Sequence, residues 1–373
     1  MMFADQERDL ATLAAADRYR SLRPRTGVDF ASNDYLGLAG SDRLRAALIE
    51  ALAHGVPVGS GGSRLLRGNA PQHETLEADA ARFFGTEAAL FFASGYIANT
   101  ILFATLPQRG DLIVHDALIH ASAHEGMRLT RATCVSAEHN DASAFEDVIA
   151  NWRKTGGKGR VWIAVESLYS MDGDRAPLAD LARIADRHDA ILLIDEAHAT
   201  GVFGSDGRGL AEALDGRHNV ITLRTCGKAL GCEGALLCGP AVMREFVVNR
   251  GRGFIFSTAP SPLMALAVGE ALRIMADEPA RRERLWDLVA TAERVLAPYG
   301  VAATGSQILP LILGDAARTM HVAGAIQAAG FDVRGIRPPT VPEGTSRLRI
   351  SLTLNATAAD IEALGEVMKE ALQ

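Results

Sequence analysis

Several short runs in the middle of this chain are apolar on almost every residue: Leu112-Ile113-Val114, residues 161–165, 191–194, 220–223 and 235–238. A strand that faces water on one side alternates polar and apolar residues. A strand apolar on both sides must be covered on both. Between several of these runs lie amphipathic stretches of helical period, such as residues 178–188, and parallel neighbours need crossovers long enough to hold a helix. The pattern therefore predicts an α/β fold with a mainly parallel sheet flanked by helices. In such sheets ligands gather at the carboxyl ends of the strands. After about residue 275 the character changes. A helical stretch over 279–296 precedes strand-like 309–313, a helix over 316–329, strand-like 348–352 and a last helix from Ala359. This reads as an N-terminal arm over 1–45, a large domain over 46–275 and a small C-terminal α/β domain over 276–373. No internal repeats are visible.

Composition removes whole classes of function. Lys plus Arg is 38 and Asp plus Glu is 45, so the net charge is -7. With no basic block, nucleic acid is excluded as a bulk partner. The first ten residues include Asp5, Glu7, Arg8 and Asp9 and lack the pattern of a secretory leader. The most apolar stretch, 88–106, is interrupted by Ser94-Gly95, Asn99 and Thr100. It reads as strand, turn and helix rather than a membrane span. Cys134, Cys226, Cys232 and Cys238 form no C-x-x-C pair. That spacing predicts reduced thiols, a cytoplasmic setting and no metal centre.

The strand ends carry the chemistry. Glu166 follows the run 161–165, Asp195 follows 191–194 with His198 close behind, and Ser94-Gly95 follows a run over 88–93. Thr225 follows 220–224, with Lys228 three residues on. Asp195-Glu196-Ala197-His198 invites a nucleotide-hydrolase reading, but the G-x-x-x-x-G-K-[ST] loop it requires is absent. Gly59-Ser60-Gly61-Gly62-Ser63 does not form the dinucleotide fingerprint either. A different chemistry fits. A lysine amine between small residues, as in Thr225-Cys226-Gly227-Lys228-Ala229-Leu230-Gly231, can form a Schiff base with pyridoxal 5'-phosphate (PLP). That cofactor needs an acid at its ring nitrogen, for which Asp195 stands ready. It also needs phosphate donors, for which Ser94-Gly95-Tyr96 at a helix start and Thr225 serve.

These residues carry a resemblance to the α-oxoamine synthases, PLP-dependent transferases of fold type I. Its blocks run from Asn33-Asp34-Tyr35-Leu36-Gly37-Leu38 to Arg349. They include Gly59 to Arg64, Gly68-Asn69, His73-Glu74, Ser94-Gly95-Tyr96, His120-Ala121-Ser122, Glu166 to Asp174, Asp195 to His198 and Thr225 to Gly231. The resemblance implies a seven-stranded, mainly parallel sheet in the large domain. It implies Lys228, His120, Asp195 and His198 as catalytic residues. Ser94, Gly95, Tyr96, Ser170 and Thr225 would join them around the cofactor, and Ser257 and Thr258 would reach the phosphate of the neighbouring subunit of a homodimer. Asn33, Glu166, Arg337, Thr340 and Arg349 would bind substrate, with Arg337 the leading partner for a carboxylate and Arg349 the second. The tail Ile336-Arg337-Pro338-Pro339-Thr340-Val341-Pro342 implies L-alanine and a pimeloyl thioester, on coenzyme A or an acyl carrier protein, as substrates.

The residues themselves support part of this. Arginine offers a planar fork of donors to a carboxylate, and two prolines stiffen the segment after Arg337. Arg349 alternates with Leu348 and Ile350, which leaves it facing either substrate or solvent. Arg64, Arg67 and Arg337 are the local cations available to an anionic thioester. Glu233 and Arg67 stand where smaller residues are usual in the family, so they bear on substrate preference. Two alternatives stay open: another α-oxoamine synthase, such as a glycine C-acetyltransferase, and a non-catalytic PLP-binding regulator. A regulator of that kind carries an added DNA-binding domain, and the 45 residues before the large domain show no helix-turn-helix.

Overall fold

The computed structural model describes residues 2–22 and 24–373. Strands follow in chain order as β1 (Val28–Asp29), β2 (Ala88–Phe92), β3 (Leu112–Asp116), β4 (Thr133–Ala137), β5 (Val161–Glu166), β6 (Ile191–Asp195), β7 (Val220–Thr225), β8 (Ala235–Gly239), β9 (Ile308–Gly314), β10 (Phe331–Asp332), β11 (Arg334–Ile336) and β12 (Ser346–Ser351). The helices are α1 (Ala4–Ala15), α2 (Asp42–Ala53), α3 (Pro71–Phe84), α4 (Gly95–Thr105), α5 (Ala121–Leu129), α6 (Ala142–Lys154), α7 (Leu178–Arg187), α8 (Ala241–Arg250), α9 (Arg252–Ile255), α10 (Pro262–Asp277), α11 (Ala280–Leu296), α12 (Ala316–Ala328) and α13 (Ala358–Ala371).

The chain divides into two compact units. The larger comprises Leu36–Tyr169 and Arg175–Arg282. It holds a seven-stranded sheet of order β2-β8-β7-β6-β5-β3-β4. Only β8 runs against its neighbours, so the sheet is mainly parallel, as the apolar runs predict. Alternation along each strand sends side chains to two separate cores. Leu193, Ile221 and Leu223 pack with Leu102 and Phe103 of α4 and Met127 of α5. Leu192 and Ile194 pack on the opposite face with Phe145 and Ile149 of α6 and Leu181 and Ile184 of α7. Each fully buried Leu, Ile or Phe contributes roughly 1.5–3 kcal/mol of transfer free energy. Helices α4 and α5 approach closely because Gly126 lacks a side chain: a Cβ there would lie 2.8 Å from Cβ of Phe103 and 2.9 Å from the Thr100 carbonyl oxygen.

The edge strand β4 has no apolar run to announce it. Its residues Thr133 to Ser136 are exposed or half-buried, because only one side of an edge strand pairs with a neighbour.

The smaller unit gathers the chain up to Tyr35, the short stretch Ser170–Asp174, and Glu283–Gln373. An antiparallel sheet of order β11-β12-β9 lies at its centre. Val322 and Ile326 of α12 and Ile361, Leu364 and Met368 of α13 are buried, as are Leu309, Leu348 and Ile350 of the sheet. Strand β1 of the N-terminal segment pairs in parallel with β10. Helix α1 has no buried residue. Among the described residues no helix is long and apolar enough to cross a membrane.

Candidate active site

Strands β5, β6 and β7 are parallel neighbours, so their carboxyl ends lie along one edge of the sheet. Glu166 and Asp195 are register partners there, and Thr225 ends the next strand. The Asp195 carboxylate is held from two sides: Asn99 Nδ2 donates to Oδ2 at 2.7 Å and the Ala197 amide donates to Oδ1 at 2.9 Å. Asn99 also donates to Ser122 Oγ at 3.0 Å, and that hydroxyl lies 2.8 Å from His120 Nδ1. A continuous polar chain thus joins Asp195, Asn99, Ser122 and His120. Burial pushes the His120 imidazole below its usual range, and the positive charge of Lys228 adds to this against the pull of Asp195. The ring is therefore neutral at physiological pH.

Lys228 Nζ stands 2.9 Å from His198 Nε2. Glu166 is buried, and its Oε1 finds no hydrogen-bond partner among the described residues. Burial first, and the neighbouring Asp195 second, drive its carboxyl well above the ordinary range. The turn after β2 opens a helix. Ser94 caps α4, accepting from the Ile97 amide, and the helix opens at Gly95. The first amides of a helix have no intrahelical acceptor, which leaves those of Gly95 and Tyr96 available to an anion. A Cβ at Gly95 would stand 3.4 Å from Thr225 Oγ1, so the glycine keeps the helix start and that hydroxyl open to a common ligand. These features fit PLP: an amine, a carboxylate fixed at a neighbouring strand end, a neutral histidine, a helix start paired with a hydroxyl, and an orphaned buried oxygen.

Ser257 and Thr258, also in the larger unit, are both exposed, next to the exposed Phe256. Arg67 and Glu233 are exposed as well. Arg64, read from sequence as a cation available to a thioester, is otherwise engaged. It is buried, with Nη1 2.8 Å from Glu77 Oε1 and Nε 2.6 Å from Asn69 Oδ1. Its charge is neutralised inside the fold.

The smaller unit holds the other predicted residues. Arg349 is buried, and its guanidinium is held from three sides. Nε donates to the Ser170 carbonyl at 2.6 Å, Nη1 to Ser351 Oγ at 2.6 Å and Nη2 to Asn33 Oδ1 at 3.0 Å. Tyr35 Oη lies 3.4 Å from Nη2 and 3.0 Å from Asn33 Oδ1. Arg337 is half-buried; its Nη2 donates to the Tyr19 carbonyl at 2.8 Å. Burial, with Arg20 nearby, lowers the pKa of its guanidinium. Thr340 is exposed and accepts from Arg20 Nη2 at 3.4 Å. Sequence reasoning did not single out Asn99, Tyr35 or Arg20. Asn99 left one signal, a lone amide in an otherwise apolar helical run. Tyr35 sat inside a quoted motif without a role.

A family model for aminotransferase class I and II matches residues 25–367. An 8-amino-7-oxononanoate synthase of Anaeromyxobacter dehalogenans is 43% identical over 370 residues, covering 95% of this chain and 92% of that protein. Among solved structures, a serine palmitoyltransferase variant of S. paucimobilis with bound PLP superposes with a TM-score of 0.90 at 26% identity, covering 99% of this chain and 97% of that one. An 8-amino-7-oxononanoate synthase of Francisella tularensis gives a TM-score of 0.78 at 26% identity, over 93% and 98% of the two chains.

Proposed function

The chain belongs to the aminotransferase class I and II family, within its α-oxoamine synthases, and on that premise we propose the reaction in which L-alanine condenses with a pimeloyl thioester. The products are 8-amino-7-oxononanoate, carbon dioxide and free coenzyme A or acyl carrier protein, a step of biotin biosynthesis. PLP is the cofactor; when bound it supplies the electron sink that makes the α-carbon of an amino acid acidic and drives loss of its carboxylate. One observation carries the reading: Lys228 Nζ beside His198 at 2.9 Å, in the same unit as an Asp195 carboxylate fixed by Asn99 at 2.7 Å.

Each side chain then has a task. Lys228 takes the proton from the alanine α-carbon and later returns one. His198 orients that amine. Asp195 would hold the ring nitrogen of the cofactor, and Asn99 fixes that carboxylate. Ser94, Gly95, Tyr96 and Thr225 would hold the phosphate, and Ser170 would join them as a cofactor-binding residue. His120, neutral and steered by Ser122, would hold the cofactor ring and would offer its other ring nitrogen to the thioester carbonyl. Arg349, whose fork is preset by Ser170, Ser351 and Asn33, takes the amino-acid carboxylate, with Arg337 second, since a preset fork loses little freedom on binding. Glu166, buried, and Thr340 complete the substrate contacts. Exposed Ser257 and Thr258 serve the phosphate of a partner copy in a C2 homodimer, and the enzyme works in the cytoplasm.

The test is a steady-state panel of L-alanine, glycine and L-serine against pimeloyl, acetyl and palmitoyl thioesters. Alanine with the pimeloyl donor is expected to give the highest kcat/KM. A preference for glycine with the acetyl donor overturns the assignment. Lys228→Ala is expected to abolish turnover together with the visible band that depends on the bond between Lys228 and the cofactor.

A further inference from the structure

Behind the strand ends, on the sheet face opposite Asp195 and Thr225, sits an ionic cluster that the reaction does not use. Arg224 is 1% exposed and Glu196 is 0% exposed, with Arg224 Nη1 3.5 Å from Glu196 Oε2. Arg224 Nη2 donates to both oxygens of Asp215, at 2.8 and 2.7 Å. Nη1 donates to the Arg208 carbonyl, and the guanidinium carbon lies 4.0 Å from the Phe84 ring centroid. Glu196 Oε1 accepts from the Ala211 amide at 3.2 Å. The backbone of Glu196 is equally committed: its amide donates to the Leu223 carbonyl at 2.8 Å, and its carbonyl accepts from Thr200 at 2.8 Å. Gly209 makes room for this packing. Its φ is +104°, and a Cβ there would lie 1.6 Å from Glu196 Oε2.

Charges are costly to bury, and this cluster binds together three segments: the end of β6, the end of β7 and the loop 208–215. Glu196 lies between Asp195 and His198 in the chain. Arg224 directly precedes Thr225 and lies four residues before Lys228. We propose that Arg224 and Glu196 are positioning residues, a brace that holds Asp195 and His198 in register with Thr225 and Lys228. The inference rests on the reaction assigned above. A buried ion pair is a weak source of stability, because desolvation offsets its attraction. Its value here lies in direction: two strand ends that could slide by fractions of an ångström are tied from behind. Catalytic geometry tolerates displacements of only about 0.5 Å.

The test equilibrates holoenzyme at graded PLP concentrations, following the visible cofactor band and its pH midpoint, with thermal unfolding recorded alongside. Glu196→Gln and Arg224→Met are each expected to weaken PLP about tenfold and to move the midpoint. Arg224→Lys, which keeps the charge, is expected to recover most of the loss. Arg43→Met, which removes the ion pairs of Arg43 with Glu270, Asp277 and Glu278 elsewhere in the same unit, is the control for lost stability and should leave the PLP Kd within about twofold. If Glu196→Gln and Arg224→Met lower only the Tm, with PLP Kd and midpoint as in the parent, the cluster is merely structural and the proposal falls. Should Arg224→Met fail to fold, Glu196→Gln and Arg224→Lys decide the matter by the same criteria. A parent protein that takes up no PLP overturns the assigned reaction and the brace with it.

Discussion

Asn99 offers a sharp test of how the site is built. It is buried, and its one amide group donates to the Asp195 carboxylate at 2.7 Å and to Ser122 Oγ at 3.0 Å. A hydrogen bond to a charged group contributes about 1.5–3 kcal/mol and a neutral one about 0.5–1.5 kcal/mol. Asp195 keeps the Ala197 amide as a donor, so Asn99→Ala leaves no bare charge. Its cost is the two bonds, about 2–4.5 kcal/mol, which corresponds to a fall in Tm of about 4–9 °C. Asn99→Asp keeps the volume but sets an acceptor against Asp195. Like charges at that distance force one carboxyl to take up a proton, so this variant should bind PLP more weakly than Asn99→Ala although it is closer to the parent in shape. The assay is thermal unfolding with and without saturating PLP, together with PLP titration. If Asn99→Ala unfolds within about 0.5 kcal/mol of the parent, or Asn99→Asp binds PLP the better of the two, the view of Asn99 as the donor that fixes Asp195 is refuted.

Three further outcomes follow from the same geometry. Gly126→Ala gains about 1 kcal/mol in helix propensity but drives a methyl into the Thr100 backbone and Phe103, so denaturant unfolding should register a net loss of about 1–2 kcal/mol. Arg349→Lys replaces a directed fork by a point charge and should raise KM for the amino acid at least about tenfold while leaving KM for the thioester near the parent value; Arg337→Lys should do less, and the reverse ranking would return the carboxylate to Arg337. Burial pushes the Glu196 carboxyl from 4.5 up to about 7, against the opposing pull of Arg224, Ser167 and the Ala211 amide. Folding therefore favours its protonated form, and the stability this contributes is full below pH 4.5 and declines as pH rises toward about 7. Tm measured across that window should fall less steeply in Glu196→Gln.

How far the sequence could be read depended on whether a residue's meaning was local. The strands β3, β5, β6, β7 and β8 were legible because a strand covered on both faces must be apolar on both. β4 was not legible, since an edge strand is half-solvated and its composition matches a loop. Asp195 and the Ser94-Gly95 turn were legible because each follows an apolar run directly, and Lys228 because it stands three residues past the strand end at Thr225. Asn99 and Arg224 were not, since an amide in an apolar helix and an arginine in an apolar strand take their meaning from partners far away in sequence. Arg64 was read as available and proved bound to Glu77, for the same reason: the availability of a charge depends on its neighbours.

The sequence by itself determined most of the sheet, the position of Lys228 after its sixth strand in chain order, and the class of chemistry at the strand ends. Hydrophobic period and strand-end position are properties of contiguous residues. Only the tertiary structure decided that the N-terminal segment and Ser170–Asp174 belong with the C-terminal residues, that Arg349 rather than Arg337 has the preset fork, and that Arg224 and Glu196 meet behind the site. Those are matters of burial and of pairing across long stretches of chain. Free energies of desolvation and hydrogen bonding are settled by which groups meet in space.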